Sequence, residues 1–235
     1  MIASGEPAYA AHLAVVGSLA CALQAIGGAP PPAPRWNQDW FPRLDAAAAY
    51  AMVRRHRPAR IVEVGSGHST RFMARAVADG GLETRVTAID PAPRASLEGL
   101  PIELLRMRVQ AAGRAPFAEL GAGDFLFVDS SHQRYPGSDM AFIFEQVLPD
   151  LPGGVFVHFH DIFLPGDYPQ AWAWRHYNEQ DSVAALIAGG GYALEFSSAW
   201  IIACRPECLA SGVLARLPLV PGAFESSLWL RKTGL

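Results

Sequence analysis

The segment that most constrains the fold is residues 61–70, where a short apolar run leads into a turn bracketed by two glycines. The run, with Glu63 inside it, has the length and composition of a buried strand, and the residues after the turn have the spacing of a helix. Gly65 and Gly67 leave bare backbone at the junction. A strand, turn and helix of this kind predict a place where a large ligand lies against the main chain.

The alternation of strand and helix continues along the chain. A helix over residues 46–57, capped by Asp45, precedes the first strand. Further strands are predicted at residues 85–89, 102–109, 124–129 and 155–160, and further helices at residues 116–120 and 138–148. Five alternating units predict an α/β fold with a doubly wound, mostly parallel sheet.

The pattern changes after residue 161. A helix over residues 178–188 is followed by one long strand over residues 192–203 and a last strand over residues 227–231. Because no helix is predicted between these two strands, we expect an antiparallel hairpin at the edge of the sheet.

Length and composition predict one domain with an N-terminal extension. The chain has 235 residues, of which 51% are hydrophobic and 17% are charged, so it can bury a sizeable core. The prolines within residues 30–34 predict a linker. We therefore assign residues 1–40 to a helical extension with a proline-rich linker, and residues 41–235 to the main domain.

Charge and cysteine content disfavour several classes of protein. A net charge of −3 and a pI near 6.1 argue against a nucleic-acid partner. The alanine-rich N-terminal segment lacks the basic flank of a signal peptide and carries Glu6 and His12, so it predicts a packing or homodimer helix and no membrane contact. Three cysteines without metal-type spacing are expected to be free thiols in the cytoplasm.

Polar residues follow the predicted strands where each strand ends. Because ligands bind beyond the carboxyl ends of strands in open sheets, these residues are expected to converge on one rim. They are Glu63, Gly65, Ser66 and Gly67 after the first strand, Asp90 after the second, Asp129 and His132 after the fourth, and His158, His160 and Asp161 at the fifth.

The glycine turn departs from the dinucleotide fingerprint. Thr70 stands where that fingerprint has its third glycine, and the turn has no phosphate-binding lysine. The turn therefore suits a nucleoside without a pyrophosphate at least as well as NAD. Asp90 is placed to accept both hydroxyls of a ribose.

Residues 62–70, 88–91 and 127–132 together resemble the successive motifs of class I S-adenosylmethionine-dependent methyltransferases. The resemblance implies a seven-stranded sheet with an antiparallel last strand, and S-adenosylmethionine as cofactor. It places Glu63, Gly65 and Gly67 near the methionine part, Asp90 at the ribose and Gln110 at the adenine. Ser66, Ser69 and Thr70 complete the predicted cofactor contacts.

The second half is most similar to the metal-dependent small-molecule O-methyltransferases. Asp129 and Asp161 match two of that group's magnesium ligands, but the third position is Ile162, which cannot coordinate a metal. A histidine could replace it: His160 is the candidate we favour, and His158 or His132 are alternatives. An imidazole ligand would shift the preference from magnesium toward manganese, iron or zinc. His158 is otherwise predicted to be a packed histidine beneath the site.

His132 lies three residues after Asp129, where the catechol enzyme of the resembled group has a lysine base. A histidine there can take a hydroxyl proton near neutral pH. We therefore predict His132 and Asp129 as catalytic residues, and Asp129, Asp161 and His160 as metal ligands. The predicted reaction is methyl transfer to a small hydroxylated molecule.

Aromatic residues in the segment 163–177 predict either a pocket wall or ordinary core packing. Three other functions also fit the sequence. One is a metalloenzyme that binds adenosylmethionine but uses a His/Asp centre for non-methyl chemistry. The others are a non-catalytic cofactor-binding module and an NAD oxidoreductase.

Overall fold

A computed structural model describes residues 1–234, which fold around one seven-stranded sheet of order β3-β2-β1-β4-β5-β7-β6. The first five strands are parallel, and β7 is antiparallel to both β5 and β6. The predicted α/β fold with a doubly wound, mostly parallel sheet is confirmed. The strands are β1 (Arg60–Val64), β2 (Arg85–Ile89), β3 (Glu103–Leu105), β4 (Phe125–Val128), β5 (Phe156–Phe159), β6 (Tyr192–Ser197) and β7 (Leu228–Lys232).

Helices surround this sheet. They are α1 (Glu6–Ser18), α2 (Ala20–Gln24), α3 (Arg43–His56), α4 (His68–Asp79), α5 (Val109–Ala112), α6 (Asp139–Phe142), α7 (Glu179–Ala188) and α8 (Ser198–Cys204). The helix α6 continues as a π-helical turn (Ile143–Val147) and a 3₁₀ turn (Leu148–Asp150), and Ala115–Phe117 is a 3₁₀ turn where a helix over residues 116–120 was predicted. None of the helices in residues 1–234 is both long and apolar enough to cross a membrane.

The strand register brings the predicted site residues to one edge. Val64 pairs with Ile89 on one side and with Val128 on the other. Hydrogen bonds extend these ladders by one residue, from Gly65 N to Ile89 O at 3.0 Å and from Asp129 N to Val64 O at 2.9 Å. The residues that follow β1, β2 and β4 therefore emerge side by side.

The N-terminal extension packs into the same core. His12 is fully buried, its Nε2 lies 3.1 Å from Ala48 O, and its ring contacts Phe196 with centroids 5.0 Å apart. Burial lowers the pKa of His12 to about 3, so this histidine is neutral. The linker residue Trp36 packs on Phe72 at 4.8 Å. A homodimer through the N-terminal helix stays a prediction.

The prediction of one long strand over residues 192–203 is wrong. The strand β6 ends at Ser197, whose side chain accepts a hydrogen bond from Trp200 N and caps α8. A short apolar run cannot be distinguished from a buried helix by periodicity alone, which explains the error. The two closing strands do pair antiparallel, but α8 separates them in the chain, and β7 lies inside the sheet, next to β5.

The role predicted for Asp45 is also wrong. The helix α3 begins at Arg43 with Pro42 as its N-cap, so Asp45 lies inside the first turn and is fully buried. Its two carboxylate oxygens accept hydrogen bonds from Ser226 N and Ser227 N, both at 2.9 Å. The side chain is therefore directed at the start of β7 instead of its own helix.

Candidate active site

The turn after β1 requires glycine at one of its two glycine positions. Gly65 has a φ of +82°, and a Cβ atom there would lie 1.8 Å from the backbone oxygen of Asp129. No side chain fits that space. Gly67 is different, because the nearest atom to a Cβ there would be Ala95 Cβ at 4.0 Å. The close approach at Gly65 is what lets β1 and β4 share one rim.

Glu63 lies beneath this turn and is fully buried. Its two oxygens accept hydrogen bonds from Ser69 Oγ and Thr70 Oγ1, both at 2.5 Å. Thr70 Oγ1 in turn accepts from Gly67 N at 2.9 Å. Glu63 and Thr70 do not line the cavity described below, whereas Ser69 does. Glu63 therefore holds the turn and the start of α4 from below.

Glu63→Gln is expected to change how stability depends on pH. Burial raises the pKa of Glu63 to about 8, and Asp129 and Asp90 add to the rise against the two hydroxyl donors. The folded state therefore holds a proton that the unfolded state has released, so Glu63 makes stability fall as pH rises from about 4.5 to about 8. Melting temperatures of the wild type and the variant, compared from acid to alkaline pH, should diverge over this window. Parallel curves would contradict the prediction.

Asp90 joins the second strand to the glycine turn. Its Oδ2 accepts hydrogen bonds from Ser66 N and Ser66 Oγ, both at 2.8 Å, and its Oδ1 accepts from Ala92 N at 2.8 Å. Gln110, in α5, is exposed and donates from Nε2 to Gly137 O at 3.0 Å, which links α5 to the loop after β4. These residues lie along one wall of a cavity of about 580 Å³. The predicted cofactor residues are thus brought together there, except Glu63 and Thr70.

Two histidines and two aspartates form a cluster on the same cavity. His132 Nε2 lies 3.4 Å from Asp129 Oδ1 and 3.5 Å from Asp161 Oδ2. His160 Nδ1 lies 3.5 Å from Asp129 Oδ1 and 3.4 Å from Asp161 Oδ1. Each imidazole therefore directs one nitrogen at both aspartates. The four predicted residues at the ends of β4 and β5 meet at one point.

A buried carboxylate lies behind each histidine. His132 Nδ1 lies 2.6 Å from Glu179 Oε1, and His160 Nε2 lies 3.1 Å from Asp45 Oδ2. Glu179 and Asp45 are both no more than 1% exposed. Such partners fix the orientation and the tautomer of an imidazole. Sequence reasoning missed both roles, although an acid at the start of an otherwise apolar, alanine-rich helix was a usable signal at Asp45.

These surroundings favour the charged forms of His132, His160 and Asp129. Burial by itself lowers the pKa of His132 and His160, but the facing carboxylates outweigh it and raise both well above the usual range. Burial likewise opposes ionisation of Asp129, but His160 and His132 hold its pKa well below the usual range. His132 and Asp161 also have left-handed backbone, with φ of +59° and +57°. Strained residues of this kind concentrate at functional sites.

His158 lies beneath the cluster. It is fully buried, stacks on Phe127 with centroids 3.7 Å apart and bonds Ser227 Oγ through Nε2 at 2.9 Å. Burial, aided by His160, lowers its pKa well below the usual range. It packs as a neutral histidine.

The residues do not fit the all-oxygen magnesium site of the resembled group. Ile162, at the third ligand position, is 1% exposed and its backbone N donates to Ser226 O at 2.9 Å. Across residues 1–234, no group of three or more His, Cys, Asp or Glu side chains has an arrangement that could hold a metal ion. In the cluster the histidine nitrogens face the aspartate oxygens, so potential ligands are paired with one another.

The aromatic residues on the remaining cavity wall are Trp40, Phe41, Tyr135 and Tyr177; the segment 163–177 contributes Arg175 and Tyr177 to the lining. Tyr177 packs against the His132 ring with centroids 4.5 Å apart. Phe41 packs against His160 at 5.3 Å, and the half-exposed Trp40 lies at the mouth. Flat apolar walls beside a few polar groups are typical of small-molecule sites.

Residues 62–162 match the family model of a methyltransferase domain. The matched region runs from β1 to the end of β5 and includes the glycine turn, Asp90 and the cluster. This part of the chain is therefore similar to a methyltransferase domain. The match and the seven-stranded fold agree with the resemblance seen in the sequence.

Solved structures support the same fold. The S-adenosylhomocysteine-bound Podospora anserina methyltransferase PaMTH1 is 18% identical, with 94% of this chain and 88% of that chain covered and a TM-score of 0.51. Cofactor-bound Rv0187 from MTB is 14% identical, with 97% and 91% covered and a TM-score of 0.50. No curated protein matches the sequence significantly.

Proposed function

We propose that the methyltransferase domain transfers a methyl group from S-adenosylmethionine to an oxygen of a small hydroxylated molecule. The observation that carries this proposal is the cluster of His132, His160, Asp129 and Asp161 on the same cavity as the glycine turn. A module that only binds the cofactor has no need for so many ionisable groups on one cavity. The exposed free thiols of Cys21 and Cys204 support a reducing, cytoplasmic setting.

The two walls of the cavity are proposed to bind different molecules, one the cofactor and the other the acceptor. Gly65, Ser66 and Asp90 line the side proposed for the cofactor, which supplies an electrophilic methyl group when bound. The cluster and Tyr177 line the side proposed for the acceptor. Holding two reactants in line contributes on the order of 7–11 kcal/mol to lowering a barrier of this kind. Positioning is therefore the main task of the protein.

His132 is the group placed to accept the acceptor's proton. Glu179 holds Nδ1, which leaves Nε2 directed at the cavity between Asp129 and Asp161. Because the facing carboxylates raise the pKa of His132, the imidazole must first lose its own Nε2 proton; the neutral ring then takes the hydroxyl proton, and the carboxylates stabilise the imidazolium that forms. The acceptor oxygen would then form a bond to the methyl carbon while the methyl–sulfur bond breaks, and S-adenosylhomocysteine would leave.

Glu179→Gln is expected to lower kcat by about 10–100-fold, because the amide no longer fixes the tautomer of His132. Binding of S-adenosylhomocysteine should not change, since Glu179 does not line the cavity. Asp181→Asn is the control, as that exposed carboxylate lies on the same helix. Equal kcat values in the two variants would remove Glu179 from the mechanism.

A metal-assisted form of the reaction is the second candidate. Four acidic side chains (Asp45, Asp129, Asp161 and Glu179) face the two histidines, so acids outnumber imidazoles around the cluster. A divalent cation would balance this excess of acids, and with imidazole among the ligands it would be manganese, iron or zinc before magnesium. Asp129, Asp161 and His160 are the proposed ligands; they face one another in this structure and would have to separate to bind the cation.

The test of the proposed function is the release of S-adenosylhomocysteine from S-adenosylmethionine over a panel of small hydroxylated acceptors, with the product's methyl position assigned by NMR. Methylation at oxygen supports the proposal. Tight S-adenosylhomocysteine binding with no turnover would favour the non-catalytic module, and thermal stabilisation by NAD instead would favour the oxidoreductase. Turnover that EDTA abolishes and manganese restores supports the metal-assisted form, whereas turnover unchanged by EDTA supports proton transfer by the side chains alone.

A further inference from the structure

Arg175 is a half-buried cation on the acceptor side of the cavity. It ends the 3₁₀ segment Gln170–Arg175, and its guanidinium lies over Trp172, with the carbon 4.2 Å from the ring centroid. Trp174 and Tyr177 flank it at 5.4 Å and 5.5 Å, and Nη1 donates to Tyr177 Oη at 3.0 Å. Three aromatic rings thus hold the charged group in place, which lowers the entropy cost of binding a ligand there.

This guanidinium has no carboxylate partner among the described residues. The arginine ion pairs of residues 1–234 involve Arg43, Arg60, Arg75, Arg85, Arg114, Arg134, Arg205 and Arg231. Arg175 is in none of them, and its Nε is buried with no hydrogen-bond partner within this part of the chain. A buried donor left unpaired costs free energy until a ligand supplies an acceptor.

The position of Arg175 separates it from the cofactor wall. Arg94 and Arg108 also line the cavity, but both are exposed and follow β2 and β3, beside Asp90 and Gln110. Arg175 instead follows β5, and Tyr177, which it contacts, packs directly on His132. The cofactor carries a single carboxylate, so it does not account for cations on both walls.

We propose that the acceptor is anionic: a small hydroxylated molecule with a carboxylate that accepts hydrogen bonds from Arg175 while its hydroxyl faces His132. This inference rests on the proposed function and specifies its substrate class. The guanidinium fork binds a carboxylate through two parallel hydrogen bonds, which orients the acceptor as well as attracting it. Tyr177 would lie between the anchored group and the reacting hydroxyl.

The test uses pairs of probes that differ in the carboxylate: 3,4-dihydroxybenzoate with 3,4-dihydroxybenzyl alcohol, and glucuronate with glucose. Binding to protein saturated with S-adenosylhomocysteine is measured by calorimetry, and methylation of each probe is measured separately. In the wild type, the acid of at least one pair should bind at least about tenfold more tightly than its neutral partner. In Arg175→Gln this preference should fall to within about twofold, with S-adenosylhomocysteine affinity unchanged. Arg134→Gln, which removes an exposed arginine paired with Glu145, should keep the preference.

Equal binding of acids and neutral probes by the wild type would overturn the inference, and so would an acid preference that survives in Arg175→Gln. A comparable loss of S-adenosylhomocysteine affinity in Arg175→Gln would also overturn it, because Arg175 would then serve the cofactor's carboxylate. Acid-selective binding without methylation of any probe would support the anion site and count against the proposed reaction.

Discussion

Asp129→Asn is expected to reduce methyl transfer by about 10²–10⁴-fold while S-adenosylhomocysteine still binds. Asp129 Oδ1 faces both His132 Nε2 and His160 Nδ1, so one carboxylate serves both imidazoles. An amide has no charge to stabilise a protonated histidine, and its NH₂ group would face a ring N–H. Both histidine pKa values would fall, since Asp129 contributes to raising each of them.

Turnover is measured as S-adenosylhomocysteine release and binding by calorimetry. Asp167→Asn is the matched control, because it makes the same chemical change on an exposed loop beside the aromatic wall. The control should retain wild-type turnover. If Asp129→Asn keeps wild-type turnover as well as S-adenosylhomocysteine binding, the cluster has no part in the mechanism. Both forms of the proposed function would then be contradicted.

Gly65→Ala is expected to destabilise the fold by at least about 3 kcal/mol, whereas Gly67→Ala should stay within about 1 kcal/mol of the wild type. At Gly65 the new methyl group would lie 1.8 Å from Asp129 O, and the φ of +82° is unfavourable for any L side chain. Relief requires β1 and β4 to move apart at the site. At Gly67 the methyl group has room.

Thermal unfolding of the two variants gives the comparison, followed by S-adenosylhomocysteine binding for any variant that folds. Gly67→Ala should fold normally. Its affinity for S-adenosylhomocysteine should fall only if the cofactor contacts the backbone at Gly67. A Gly65→Ala protein with wild-type melting temperature and binding would contradict the packing described for this turn.

Much of the cofactor side could be predicted because its signals are local. A buried strand, Gly65 and the start of α4 are adjacent in the chain, and parallel strands place Asp90 and Asp129 at the same edge by rule. The hydrogen bonds of Asp90 to Ser66 are the direct result. The same reasoning placed His132, His160 and Asp161 together.

The errors fell where distant segments compete with local preference. Asp45 has the sequence signature of a helix cap, but Ser226 and Ser227, 181 and 182 residues away, offer two backbone donors in a buried setting. Satisfying those donors outweighs capping. Residues 198–203 were equally ambiguous, since an apolar run fits a strand or a helix, and the cap at Ser197 decided for α8.

Local sequence was therefore sufficient to predict the doubly wound sheet, the glycine turn and the convergence of acids and histidines at the strand ends. Short stretches of chain determine strand polarity and hydrophobic periodicity, on which these features depend. Only the folded chain revealed that Glu179 and Asp45 orient the two histidines, that Ile162 is buried at the expected ligand position, and that Arg175 lacks a carboxylate partner within the described residues. Those features depend on which side chains meet across the packed layers, and that depends on the whole core.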